Sequence, residues 1–223
     1  MTELEAIKAR HAVRAYTDKP IEAEKIAELE TLIAECNAES GLHIQLVKNE
    51  PKAFSSMMAH YGKFSGVKNY IALVGKKGAE HEESAGYYGE KIVLRAQSLG
   101  LNSCWVAMTF KKVGEAFSVE KGEKLFMVIS LGYGETQGSA HRTKTAEQVS
   151  NAGADSPDWF KAGIEAALLA PTAMNQQKFS FILQEDKKTV AAKSGAGFYT
   201  KTDLGIAKYH FEVGAGKENF SWK

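Results

Sequence analysis

The stretch Ala170-Pro171-Thr172-Ala173-Met174-Asn175-Gln176-Gln177 decides how this chain is read. Ahead of it, Phe160, Ile164, Ala167 and Leu168 recur at helical spacing; behind it, Phe179, Phe181 and Leu183 alternate as in a strand. Pro171 disfavours helical geometry at Ala170, so the helix is expected to stop there. Between helix and strand stand a proline, a hydroxyl and the carboxamides of Asn175, Gln176 and Gln177. That is more hydrogen-bonding capacity than a plain connector needs.

Downstream, Gly195-Ala196-Gly197 reads as a loop, and Asp203 is expected to cap a last helix running to about Val213, before an aromatic tail with Phe220 and Trp222. Upstream, Ser156-Pro157-Asp158 has the form of a helix start, with a capping serine, proline at the first helical position and an acid in the first turn. Earlier, the spacing predicts helices over 3–9, 21–35, 52–60, 82–98 and 111–117, with Gly100 closing the fourth. Leu42–Val47, Tyr70–Val74, Cys104–Met108 and Leu125–Leu131 read as strands. The two parts of the chain echo one another weakly. A shift of 135 lays Leu29-Glu30 on Ile164-Glu165, and a shift of 116 lays Tyr88-Gly89 on Leu204-Gly205. Two helix-then-strand units would overlay in this way by chance, but a real repeat would place a half from about 1–150 and a shortened half from about 151–223 within one domain, 1–223.

Composition narrows the function. Of 223 residues, 44% are hydrophobic, and 28 Lys and Arg balance 27 Asp and Glu to a net charge of +1. Neither a nucleic acid nor a membrane is expected as partner, and any anion site must be local. Cys36 and Cys104 sit in apolar surroundings without Cys or His ligands beside them, so reduced buried thiols and no metal site are expected. The first residues lack the apolar core of a signal peptide, and no apolar run approaches the roughly 18 residues of a membrane span, so the expected compartment is the cytoplasm.

Few motifs carry chemistry. Gly132-Tyr133-Gly134-Glu135-Thr136-Gln137-Gly138 follows a strand, but its third glycine is one residue too far for a dinucleotide loop, and no apolar helix opens after it. No Ser/His/Asp order is legible, and the six histidines do not pair at metal-ligand spacing. Trp105, on a strand, is by itself a core residue. Arg10 and Arg14 fall on one side of the chain whether the segment is helical or extended, and they are either a solvated basic edge or a half-buried anion site. Arg142 and Lys144 form a second cationic pair.

Four segments together resemble the nitroreductase superfamily of FMN-dependent oxidoreductases. Arg10-His11-Ala12-Val13-Arg14-Ala15-Tyr16 with Pro20 resembles its opening Arg-(Arg/His)-Ser-x-(Arg/Lys)-x-Phe motif. Ala170–Gln177 resembles its Ala-Pro-Ser-(Ser/Ala)-x-Asn-x-Gln loop. Leu99-Gly100-Leu101-Asn102-Ser103-Cys104-Trp105-Val106 resembles its Gly-Leu-Gly-x-Cys-Trp segment, and Leu131-Gly132-Tyr133-Gly134 with Arg142 its Leu-Gly-Tyr-Pro turn and basic tail.

The resemblance implies an α+β sandwich with a central, mostly antiparallel sheet flanked by helices. It implies FMN as cofactor and electron transfer from NADH or NADPH to nitroaromatic or quinone-like substrates, in ping-pong fashion, with no protein nucleophile. A different reduction on the same scaffold, such as dehalogenation, and a non-catalytic FMN carrier or sensor are the alternatives. Cofactor contacts carried over are Arg10, His11, Ala12, Arg14, Trp105, Val106, Ala107, Arg142, Lys144, Pro171, Thr172, Ala173 and Asn175. Ala12 stands where the family has serine, and Gly134 where it has proline. In the family the Ala-Pro loop follows the first long helix and reaches a flavin bound by the other subunit of a dimer; here that position is Cys36–Leu42, and the loop comes late. This order is similar to that of a subfamily in which one chain carries two half-repeats in imitation of the dimer, so the protein is expected to be a monomer or a homodimer.

Overall fold

The computed structural model describes residues 1–223. In chain order the elements are α1 (Glu3–Ala9), α2 (Ala23–Ser40), β1 (Gln45–Val47), α3 (Met57–Tyr61), β2 (Asn69–Lys76), α4 (Ala79–Ser98) and β3 (Asn102–Val106). They continue with β4 (Glu123–Gly132), α5 (Ala146–Val149), α6 (Asp158–Leu168), β5 (Phe179–Leu183), β6 (Thr189–Ser194), α7 (Thr200–Ala215) and β7 (Ser221–Trp222). The class is α+β, and the chain divides into two compact units: residues 9–81 with 92–140, and residues 1–8 with 82–91 and 141–223.

The first unit is built on a four-stranded antiparallel sheet in the order β1-β2-β4-β3. β2 and β4 occupy its centre, in a register that sets Tyr70 opposite Ser130 and Ile71 opposite Ile129. Tyr70 to Val74 are all fully buried, which is why this strand reads as an unbroken apolar run rather than an alternation. Phe54 packs its ring 5.1 Å from Phe64 and 5.9 Å from Tyr70. α2 runs five residues beyond the expected end at 35. The polar residues from Asn37 onward are its last turn, closed by Gly41 in the left-handed conformation, whose N–H donates to the Asn37 carbonyl. The Asn37 carboxamide also brackets Ile44, donating to its carbonyl at 2.9 Å and accepting its N–H at 2.8 Å, so the helix end and β1 are tied together.

Other differences have local causes. Residues 111–117 form turns, not a helix. Their C-terminal end is held by Gln45, whose carboxamide takes both the N–H and the carbonyl of Ser118, while His43 bridges Glu123 at 3.0 Å. β3 stops at Val106, leaving Met108 exposed. Gly100 closes α4 as expected: its N–H donates to the Gln97 carbonyl and that of Leu101 to Ala96, a Schellman pair.

The second unit packs α6 and the 82–91 part of α4 on α7 through glycines. A Cβ on Gly86 would stand 2.0 Å from the Thr202 carbonyl oxygen, and one on Gly205 would stand 1.9 Å from that of Glu83. The two helices therefore meet backbone to backbone, a separation no larger residue permits. On the other side of α7, Gly163 makes room for the Phe211 ring and Gly214 for the Ala162 carbonyl. Phe211 stacks on Phe181 at 4.8 Å and meets Phe160, Phe220 and Trp222, which closes the core over the sheet β5-β6-β7. The expected aromatic tail thus supplies core, and β7 adds a parallel edge to β6. In the middle of this packing His210 is fully buried, with Nδ1 facing the Ala166 carbonyl at 3.1 Å and Nε2 facing Glu90 at 2.9 Å. The carbonyl can only accept, so Nδ1 donates to it. Ser156 does not cap α6; its hydroxyl accepts the Gly153 N–H instead.

The glycine contact yields a direct test. Gly205→Ala forces α4 and α7 apart and is expected to cost about 1–3 kcal/mol, the range for overpacking a tight interface. Gly153→Ala, in open space, should change stability by less than about 0.5 kcal/mol, as surface substitutions do. Urea denaturation of the two variants against the parent measures both.

Candidate functional site

After α1 ends at Ala9 the chain runs extended, which settles the geometry of the two arginines. Ala12 bridges Ser103 of β3 in parallel, with the Val13 N–H donating to the Ser103 carbonyl at 3.0 Å. Arg14 and Tyr16 bond to Ser65 through their backbones, and Thr17 to Tyr133. The segment is therefore threaded between the outer edge of the sheet, the 64–66 loop and the 132–134 turn. Arg10 is buried, at 3% exposure, whereas Arg14 is exposed, its guanidinium 5.9 Å from the centre of the Phe64 ring. No carboxylate pairs with Arg14.

Two titratable groups lie beneath this edge. Burial raises the Cys104 thiol above its ordinary value, against the pull of Arg14 and Arg10. Burial also pushes the Tyr16 phenol well up, and its hydroxyl is engaged by the Val13 carbonyl at 2.7 Å and by Ser130 at 2.8 Å. Both groups stay neutral at physiological pH, so neither supplies a counter-charge to the arginines. Half-buried His11 is held below the usual histidine range by burial and then by Arg10. Ala12 is exposed, Val106 is buried, and Trp105 and Ala107 are half-buried around the end of β3.

The turn after β4 is fitted to the same edge by Asn102, whose carboxamide accepts the Gly134 N–H at 2.9 Å and donates to Gln137 at 3.0 Å. A Cβ at 134 would fall 2.7 Å from Val13 Cγ1, and a proline there would also lack the N–H that Asn102 accepts. Both facts account for Gly134 in place of the family's proline.

In the second unit, Pro171–Gln177 forms a turn with a short 3-10 segment at Ala173–Asn175. Gln177 is its hub, at 3% exposure. The Gln177 backbone N–H donates to the Thr172 hydroxyl at 3.0 Å. Its carboxamide accepts the Lys144 N–H at 2.8 Å and donates to the Arg142 carbonyl at 2.9 Å and to Asn175 Oδ1 at 2.9 Å. Asn175 also donates to the Arg142 carbonyl, and the Lys144 ammonium donates to the Gln177 carbonyl at 2.8 Å. The side chain of Gln177 thus stands in for a β-strand partner to the 142–144 backbone. Much of the polar capacity seen in this stretch knits the turn to the basic segment, and the Lys144 ammonium already has an acceptor. The Arg142 side chain is exposed, as is Met174 at the tip of the turn.

The candidate residues therefore assemble into two groups. Arg10, His11, Ala12, Arg14, Trp105, Val106 and Ala107 belong to the first unit, and Arg142, Lys144, Pro171, Thr172, Ala173 and Asn175 to the second. Sequence reasoning did not assign roles to Asn102, Gln176 or Gln177, and it gave Asp203 the wrong one. Asp203 does not cap α7, whose N-cap is Tyr199; its carboxylate accepts the Ala173 N–H at 2.9 Å and the Gln176 carboxamide at 2.7 Å. The signal for Gln177 was the polarity of the stretch itself; nothing local marked Asp203. These differences predict unequal stability effects. Gln177→Ala should cost about 2 kcal/mol by stranding the buried groups it bonds, whereas Arg14→Ala should cost less than about 0.5 kcal/mol, both read from chemical denaturation.

The fold has counterparts among solved structures. A protein from Thermotoga maritima described as a "putative nitroreductase" superposes with a TM-score of 0.71 at 21% identity, covering 98% of this chain and 85% of its own. One from Desulfovibrio desulfuricans, described as a "putative nitroreductase in complex with FMN", gives 0.51 at 20% identity, over 66% of this chain and 94% of its own. One from Bacteroides thetaiotaomicron, described as a "putative NADH dehydrogenase/NAD(P)H nitroreductase", gives 0.51 at 23%, over 66% and 95%. No curated protein matches the chain. The family model described as "Putative TM nitroreductase" matches residues 3–215, nearly the whole length, and the chain therefore belongs to that nitroreductase family.

Proposed function

We propose that the protein is an FMN-dependent oxidoreductase that passes electrons from NADH or NADPH to an electron-poor aromatic acceptor, a nitroaromatic or a quinone. The observation that carries this reading is the guanidinium of Arg14, exposed without a carboxylate partner beside buried Arg10 and above two groups that burial keeps neutral. A phosphate monoester fits such an edge: it brings close to two negative charges and oxygens suited to a planar fork of donors. Family membership and the FMN named for the Desulfovibrio neighbour support the same cofactor, and the dinucleotides named for the Bacteroides neighbour support the donor.

On this reading Arg10 and Arg14 hold the phosphate, with His11 and Ala12 beside them, and Trp105, Val106 and Ala107 line the cofactor. Pro171, Thr172, Ala173 and Asn175 contribute the polar edge that meets the flavin ring, and Arg142 offers a further cation. Lys144 acts by fixing the turn, since its ammonium bonds the Gln177 carbonyl. Bound FMN supplies the hydride and electron chemistry; the residues of the chain bind it, orient it and set its electrostatic surroundings. No helix is long and apolar enough to cross a membrane.

The purified protein should be yellow, or become so with added FMN, and the released chromophore should have the mass of FMN. A colourless protein that FMN cannot reconstitute refutes the assignment. Arg14→Ala should weaken FMN binding by about 10- to 100-fold, the worth of a charge-assisted contact of about 1.5–3 kcal/mol. Lys63→Ala, in a loop with no phosphate role, should leave it unchanged, and equal losses in the two variants would remove the arginines from the phosphate site. Steady-state NADH oxidation with a quinone separates an enzyme from a carrier, because a carrier binds FMN without turnover.

A further inference from the structure

We infer that Asp203 is a positioning residue, holding the Thr172–Gln177 turn in the shape that meets the flavin through the Ala173 N–H and the Gln176 carboxamide. The inference rests on the FMN reading and goes beyond it to a residue that touches no cofactor.

The turn needs such a holder. Met174, Asn175 and Gln177 have φ of 51°, 54° and 44°, left-handed values that residues with side chains adopt only when their surroundings impose them. Gln177 fixes one side of the turn, as described above. Asp203 fixes the other. It lies on the first turn of α7 at 2% exposure, and both of its oxygens point away from its own helix, Oδ1 to Ala173 and Oδ2 to Gln176. The second N–H of the Gln176 amide reaches the Phe198 carbonyl at 2.9 Å, so one side chain ties the turn to α7 and to the loop before it. A carboxylate accepts from both donors. A protonated carboxyl turns an O–H toward one of them, donor against donor, and releases it.

Burial raises the Asp203 carboxyl to about 6, against the two hydrogen bonds. Charged groups nearby are engaged elsewhere: Lys178 with the Ala196 carbonyl, and Glu83 of α4 with Lys208. Lys201, on α7 itself, and these three groups are not among the causes of the shift. Two consequences follow, and they have opposite signs. A carboxyl raised above its unfolded value stabilises the fold below that value and loses this contribution as pH rises through 6, so acidification from neutral strengthens the fold at this residue. The same proton removes an acceptor from the turn. A residue that served stability alone would not make the fold firmer and the cofactor looser in one pH step.

The test is FMN affinity by fluorescence titration at pH 7.5 and pH 5, with apoprotein melting temperatures, for the parent, Asp203→Asn and Asp203→Ala. With a value of about 6, about one tenth of Asp203 is ionised at pH 5, so the parent should lose about tenfold more affinity on acidification than Asp203→Asn does. The FMN phosphate also titrates in this range, equally for both, and cancels in the comparison. Asp203→Asn, which keeps an acceptor for Ala173, should bind more tightly than Asp203→Ala at pH 7.5. The melting temperature of Asp203→Asn should exceed the parent's at pH 7.5, with the gap narrowing at pH 5. If the parent binds FMN but Asp203→Asn and Asp203→Ala share its affinity and pH dependence, the positioning role is overturned and the cofactor assignment stands. If the parent binds no FMN at either pH, both fall together.

Discussion

Within four positions of one turn, Met174, Asn175 and Gln177 hold left-handed backbone angles, and no glycine is present to make that easy. Each such residue costs on the order of 1 kcal/mol, so the turn persists only because bonds around it outweigh the strain. They come from two directions. Gln177 binds the 142–144 backbone and the Thr172 hydroxyl, and Asp203 binds Ala173 and Gln176. Remove either set and the angles have no reason to stay. The loop can be rigid without hydrophobic burial at its tip, where Met174 is 89% exposed. Rigidity from hydrogen bonds leaves the outer surface of the turn free to meet a ligand.

The cationic edge is made in a different way. Residues 10–16 add to an existing sheet, borrowing their hydrogen bonds from Ser103, Ser65 and Tyr133. In the middle of the segment Val13 drops into the core while Ala12 and Arg14 face outward, but the alternation does not extend to Arg10 and Tyr16, which are both buried. Tyr16, two residues beyond Arg14, anchors the end of the segment on Ser130. The position of Arg14 is thus set by core residues on either side of it, and its own guanidinium contributes little to the fold. Such an arrangement lets a charged group be specified by the sequence for a purpose other than stability.

Much of this was legible in the amino-acid order. Strong apolar patterns, periodic in α4 and α6 and unbroken in β2 and β4, appear where expected because burial dominates at those positions. What the order concealed depends on contacts remote in sequence. The aromatic tail looked like an end but is the far wall of the Phe211 core and a strand beside β6. Asp203 looked like a cap because an acid opens a helix there; its partners lie 27 and 30 residues back. Met108 was read as strand because it is apolar, and only the end of pairing at Val106 leaves it exposed. The weak echo between the two parts of the chain has a related difficulty. The reciprocal approach of Gly86 and Gly205 relates positions 205 − 86 = 119 apart, whereas the sequence overlay relates Gly89 to Gly205 at 116. Steric need selects glycine wherever two helices touch, so glycine matches alone do not set a register.

Burial of Cys104 and Tyr16 beneath the arginines has an electrostatic consequence. Two guanidiniums close to a thiol and a phenol would ordinarily draw protons off them, and the resulting anions would neutralise the cations from within. Here desolvation is the larger cause for both groups, so the thiol and the phenol stay protonated and the positive field remains directed outward. A protein of net charge +1 has no global field with which to attract an anion. The neutral thiol and phenol packed beneath the arginines add no counter-charge to a local one. On the proposed reading, neutral Cys104 leaves the charge of the arginines available to an anion, whereas a carboxylate introduced at 104 would place a counter-charge beside them.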